Sequence, residues 1–318
     1  MYSAQCRTYT AYNRLAKISQ QLYAIRCTLN FSMNKVFVYT GTGNSYASAR
    51  QLGELLKAEV LHITEELSLS AQIFTGEIGV LVFPVYAYGV PKLVKRFIKN
   101  CGFNFDYFAS LGTVGTKAGG ALYETIKLFK KRGQAVSYTD TIKAVENFVH
   151  LFKLPTNERI TELCENQAAI TKTLADAILE KQTNTRKPFR PASAMISFIF
   201  RRAKGLFTRC YKVEPNCNGC GVCYRTCPPK AIEMVEKTFK KDNSVKIIPK
   251  FSPKKCDFCQ ACMQLCPQKA IKYNKVKPST RRYCHTNVAL KELLKRDYCK
   301  KCAEDVFNVE DNIENNVE

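Results

Sequence analysis

Val36-Phe37-Val38-Tyr39 runs directly into Thr40-Gly41-Thr42-Gly43-Asn44-Ser45, and from Asn44 to Lys57 the apolar Leu52, Leu55 and Leu56 recur at helical spacing. Four consecutive apolar residues ended by glycine read as a short buried strand, and the leucine spacing reads as a helix. The hexapeptide between them is therefore a strand-to-helix loop. Its glycines let the backbone turn tightly, so that successive N–H groups point at one anion; the helix N-terminus and three hydroxyls add further favourable donors. No residue from Tyr39 to Ser48 is charged. A nucleoside-triphosphatase loop needs Gly-Lys-Ser/Thr and no Lys is present, whereas a dinucleotide fingerprint needs a third Gly where this chain has Tyr46, with Ala47 and Ala49 beyond it. What remains is an uncharged cradle for a phosphate.

Outward from this loop the pattern alternates. Val60–Ile63 and the strongly apolar Ile78–Pro84 read as strands two and three, Pro91–Lys99 as a short helix, and Tyr107–Val114 as strand four. Ala121–Lys131 reads as helix, Ala135–Tyr138 as strand five and Thr161–Lys181 as a closing helix. Five strands alternating with helices imply an α/β fold with a doubly wound parallel sheet over residues 33–182.

The hydroxyl-rich loop in its strand and helix resembles that of the flavodoxin family, and the resemblance covers residues 33–182. It implies a five-stranded sheet in the order 2-1-3-4-5 and FMN as cofactor. Thr40, Gly41, Thr42, Gly43, Asn44 and Ser45 would then hold the phosphate, and the loops after strands three and four would hold the ring, through Tyr86, Tyr88 and Gly89 and through Thr113, Gly115 and Gly119. Ligands of open α/β sheets sit at this carboxyl edge. The chain has no Trp, so the tryptophan that often stacks on flavin in that family has no counterpart.

A second signal lies downstream. Cys217-x2-Cys220-x2-Cys223-x3-Cys227-Pro228 recurs as Cys256-x2-Cys259-x2-Cys262-x3-Cys266-Pro267, and the likeness continues from Cys-Pro-Pro-Lys-Ala-Ile into Cys-Pro-Gln-Lys-Ala-Ile. Three close thiolates wrap one iron–sulfur cube, while the fourth Cys, carried off by the next turn, ligates the other cube. One 4Fe-4S cluster is thus expected on Cys217, Cys220, Cys223 and Cys266, and the other on Cys256, Cys259, Cys262 and Cys227. Residues 213–276 resemble a bacterial-type two-cluster ferredoxin, a small α+β domain, with an insertion-like basic stretch, Lys237–Lys255, between its halves. A zinc ribbon would not need eight thiolates with two Cys-Pro endings. Cys284, Cys299 and Cys302 could join Cys210 in a zinc site or form a redox pair. The three histidines, His62, His150 and His285, form no ligand spacing.

Residues 183–302 hold 28 basic and 7 acidic side chains, so nearly all of the net charge of +22 falls there. Each oxidised cluster on four thiolates would bring about −2, leaving the segment strongly basic. Lysines interspersed among metal ligands follow no nucleic-acid-binding spacing, and an acidic protein redox partner fits better. Residues 1–32 are basic and acid-free. They read as an extension before a true start at Met33 or as an organellar transit segment, with the cytoplasm the expected site otherwise. Residues 183–212 read as a basic linker with an amphipathic piece, Ile196–Phe207. Residues 277–318 carry a short helix, Asn287–Arg296, and an acidic tail. No apolar run is long enough to span a bilayer, and the oligomeric state is left open.

Together the two resemblances suggest a flavodoxin–ferredoxin fusion, an electron-transfer iron–sulfur flavoprotein passing electrons among two clusters, FMN and a protein partner. The alternative is an FMN-dependent reductase of a small molecule fed by its own clusters, with Tyr88, Lys117 and Tyr123 as candidate acids.

Overall fold

The computed structural model describes residues 34–185, 191–239, 244–273 and 281–294. The first unit is a parallel sheet of β1 (Lys35–Val38), β2 (Glu59–His62), β3 (Ile73–Pro84), β4 (Gly102–Val114) and β5 (Tyr138–Lys143), in the order β2-β1-β3-β4-β5. That is the flavodoxin-like order, with the switch point between β1 and β3. Alternation along β1 shows how the sheet is wrapped. Phe37 and Tyr39 join Leu81, Phe83, Phe97, Phe108 and Phe129 on one face, beneath α2 (Lys92–Asn100) and α3 (Ala121–Lys130). Val36 and Val38 join Val80, Val82, Leu52, Leu174 and Ile178 on the other, beneath α1 (Asn44–Leu55) and α4 (Asn157–Leu179). A strand buried on both faces has no polar side to show, which is why these runs are continuously apolar.

Two strands begin earlier than their apolar runs, because Ile73–Gly76 and Gly102–Phe105 pair with one another beyond the edge of β1. The fifth strand differs most. Pairing with β4 begins at Tyr138, opposite Ala109, and runs to Lys143, so the strand is Tyr-Thr-Asp-Thr-Ile-Lys rather than the Ala135–Tyr138 expected. An edge strand half covered by α4 tolerates hydroxyls and an acid, and its pattern is too polar to stand out.

The stretch expected as a linker holds a 19-residue helix, α5 (Pro191–Arg209). Its Phe200 and Phe207 pack against Phe258 in the core of the second unit, while Met195, Ile199 and Leu206 are exposed. That unit pairs β6 (Tyr211–Val213) antiparallel with β9 (Ile271–Tyr273), and carries two one-turn helices, α6 (Val222–Arg225) and α7 (Ala261–Gln264). Most of the insertion-like basic stretch lies in a hairpin, β7 (Ile232–Phe239) with β8 (Ser244–Phe251). Leu290–Leu294 forms a final short helix, α8. No helix among the described residues is long and apolar enough to cross a membrane.

Candidate functional site

The duplicated cysteine motif folds into duplicated backbone. Left-handed residues fall 39 positions apart at matched places: Gly219 (φ 74°) with Phe258 (58°), Gly221 (71°) with Gln260 (63°), and Lys230 (43°) with Lys269 (49°). Each half turns the chain twice through positive φ, which folds its first three cysteines around one point before a single helical turn carries the fourth away. The result is two rings of thiols. One void is lined by Cys217, Cys220, Cys223 and Cys266, the other by Cys227, Cys256, Cys259 and Cys262. Each void thus takes three thiols from one half of the duplication and the fourth from the other.

Apart from the sulfurs the linings are largely apolar, with Val222, Met234 and Ile271 about the first and Tyr211, Ile232 and Phe251 about the second. Burial pushes the Cys223 thiol up to about 12 and drives Cys227 and Cys262 well above their ordinary range. Such thiols ionise when a metal supplies the compensating charge. Among the described residues no three His, Cys, Asp or Glu side chains meet as ligands of a single ion. The thiols surround a volume instead of a point, and that donor set suits a polynuclear cluster. Cys284 packs beside Leu265 and Val288, Cys210 donates to Leu206 O, and Cys299 and Cys302 lie outside the described residues.

The two rings differ in surroundings. The Cys217–Gly221 loop is half-exposed, whereas the Asp257–Gln260 loop faces the carboxyl edge of the parallel sheet. Asp257 is buried there among four donors. The backbone N–H groups of Lys92 and Leu93, at the start of α2, donate to it at 3.2 and 3.0 Å, Lys204 Nζ at 2.9 Å and Tyr39 Oη at 3.3 Å. A carboxylate on a helix N-terminus is favourable electrostatically, and here it joins the two units. Nothing in the sequence marks Asp257 apart from its neighbours, because its partners come from β1, α2 and α5.

At the same edge the structure gathers every residue expected to hold a nucleotide. Thr40, Gly41, Thr42, Gly43, Asn44 and Ser45 form the turn into α1; Thr40 Oγ1 accepts from Gly43 N, and Ser45 Oγ lies 2.7 Å from Thr113 Oγ1. Tyr86 and Gly89 exchange two backbone hydrogen bonds around Ala87 and Tyr88, both at positive φ, and Tyr88 packs on Gly119. These positions are covered by the chain itself. Thr40 and Thr42 are only 3% and 4% exposed. A Cβ on Gly41 would stand 2.8 Å from the carbonyl oxygen of Cys259, and one on Gly43 (φ 103°) 2.9 Å from His285 Cβ. Gly89 abuts Ser197 of α5, and Gly115 abuts Glu146. Lys117 is exposed and Tyr123 lies under Lys127. The loop therefore has the residue types that suit a phosphate, and in this arrangement the Cys259 carbonyl oxygen and the His285 side chain lie against its glycines.

Two further residues near the thiols were not legible in the sequence. Arg282 donates through one Nη to Ile271 O, its Nε and other Nη are buried without partners, and its charge is felt at Cys266. His150 stacks on Tyr273 with ring centroids 3.9 Å apart, and burial, reinforced by Arg282, lowers its pKa to about 4.

Comparison with known families bears on the cysteine-rich half. Residues 216–270 match the 4Fe-4S dicluster domain family. Among solved structures, two-electron reduced Megasphaera elsdenii flavodoxin is 18% identical (TM-score 0.28), covering 43% of this chain and 99% of its own. Azoreductase from Bacillus anthracis is 10% identical (TM-score 0.29; 45% and 99%), and the Trp repressor binding protein of Bacillus subtilis 13% identical (TM-score 0.30; 45% and 97%). The fold rests on its strand order and not on these distant likenesses. A search of curated proteins found no match. The chain joins a flavodoxin-like α/β domain to a 4Fe-4S dicluster domain, the architecture of an electron-transfer protein.

Proposed function

We propose that the chain is an electron carrier with two 4Fe-4S clusters, and that it exchanges electrons with an acidic protein partner in the cytoplasm. The crossed pair of four-thiol rings carries this reading. When bound, each cluster supplies a site that gains or loses one electron. The chain's own residues do the rest. The left-handed turns hold the thiolates in place, and the apolar linings exclude water. The half-exposed Cys217–Gly221 loop gives the outer ring an edge accessible to a partner. The excess of lysine and arginine over residues 183–302 would steer an acidic surface toward that edge.

FMN, expected from the resemblance of the loop, is given no step here, because Cys259 and His285 lie against the glycines of that loop. No observation favours the small-molecule reductase reading: Lys117 is exposed, Tyr123 lies under Lys127 and Tyr88 packs on Gly119. Anaerobic reconstitution tests the proposal. About eight irons per chain, with EPR signals of two interacting reduced centres, are expected; about four irons would leave only one ring loaded and end the two-cluster reading.

A further inference from the structure

We infer that the hydroxyl loop of this chain is the seat of its own cluster-binding unit, and that the seated unit takes the place of a nucleotide phosphate. The inference rests on the proposed cluster reading and extends it to the role of the flavodoxin-like domain.

Four observations carry it. First, Gly41 lets the Cys259 carbonyl approach so closely that any side chain would collide with it. A glycine that admits an anion in one protein here admits a backbone from the same chain. Second, the segment after the dicluster domain lies across the loop. His285 N donates to Thr42 O at 2.9 Å, and Val288 packs beside Gly43.

Third, a closed circuit of hydrogen bonds ties the loop to both. Asn147 Nδ2 donates to Thr42 Oγ1, and Gln264 Nε2, in α7 of the cluster unit, donates to Asn147 O at 2.9 Å. Tyr283 N donates to Gln264 Oε1 at 3.0 Å, and Tyr283 Oη returns to Asn44 Oδ1 at 2.6 Å. The side chains of Thr42 and Asn44, expected to serve a ligand, are thus engaged within the protein.

Fourth, the other anion-binding feature at this edge, the N-terminus of α2, holds the Asp257 carboxylate. Both positions where an open α/β sheet would receive a phosphate are therefore met by residues of the covering segments, Cys259 and His285 at the loop and Asp257 at the helix. Cys259, from the ring of Cys227, Cys256, Cys259 and Cys262, sets its carbonyl against Gly41 at the switch point, with Tyr86 Oη close beside the same glycine.

The test uses the full chain, reconstituted anaerobically with iron, sulfide and equimolar FMN and then desalted. Iron reports the clusters and flavin absorbance reports the loop, so the two readings fail separately. Expected is less than about a tenth of an FMN per chain whatever the iron content; one retained FMN per chain overturns the seat. Hydrogen exchange of the His285 amide is then compared between the wild type and Gly41→Val, whose added methyls press on Cys259. Seating predicts about tenfold faster exchange in the variant, and unchanged exchange overturns it. Should Gly41→Val not fold, Asp257→Asn serves instead: the Leu93 amide, which loses a charged acceptor, should exchange faster, and an unmoved rate counts against the seat.

Discussion

Lys269 is an exposed residue at φ 49°, matched in the duplicated motif by Lys230 at 43°. A side chain in this region costs roughly 1 kcal/mol relative to glycine. Lys269→Gly should accordingly stabilise the protein by up to about 1 kcal/mol, read as a rise in the denaturation midpoint of the loaded protein; a fall would show that Lys269 makes a contact worth more than the strain. Arg282 makes a different prediction. Its half-buried guanidinium, close enough to feel the charge of Cys266, would offset negative charge on a cluster held through that thiol. Arg282→Gln should lower the reduction potential of that cluster and leave the other nearly unmoved, as followed by EPR during a redox titration. Equal shifts of both clusters would assign the effect to a general change in the small domain. Asp257→Ala strips a buried lysine, Lys204, of its partner, and the loss should be about 3–5 kcal/mol, measurable as a lowered unfolding midpoint.

Elements show where packing overrode local signals. α5 serves two units at once, while Met195, Ile199 and Leu206 on its remaining surface stay exposed. Phe200 and Phe207 enter the dicluster core, and Ser197 abuts Gly89 beside the sheet. The segment from Arg281 to α8 gives the pH dependence of the seat. Burial, then the charge of Arg50, lowers the His285 pKa to about 4. In the open state this histidine would titrate near 6.5, so the seated segment is fully stable above that pH and loses stability as pH falls toward 4. At pH 5 the loss should be about 2 kcal/mol, seen as faster exchange of the His285 amide than intrinsic chemistry predicts. His150, also lowered, shifts the balance in the same direction. Exchange that follows only the intrinsic pH dependence would refute this assignment. Within the twinned motif, Cys220→Ser should remove one cluster's EPR signal and Cys259→Ser the other's, because each ring draws three thiols from one half.

At the scale of the whole molecule, the small domain covers the ligand edge of the large one, so one ring faces the sheet and the other faces outward. Electrons from a partner should enter or leave at the Cys217–Gly221 side. The basic character of that half predicts association that slows steeply as ionic strength rises, measured by stopped-flow mixing with an acidic one-electron acceptor protein. A rate indifferent to salt would remove charge steering from the picture.

How much of this was legible differs from part to part. The central strands could be expected because strands buried on both faces announce themselves as unbroken apolar runs, whereas their order was implied only by the resemblance of the loop. The ligand grouping could be expected because a duplicated spacing leaves the thiolates little choice. β5 was hidden, since an edge strand carries Thr139, Asp140 and Thr141 where a central one would carry valines. Thr40, Thr42 and Asn44 were visible as a cradle, but not what fills it. Local sequence by itself determined which backbone could turn tightly and which cysteines could share a cube. Only the tertiary structure decided that the cradle meets Cys259 and His285, because those contacts join residues more than 200 positions apart and depend on where the second unit comes to rest.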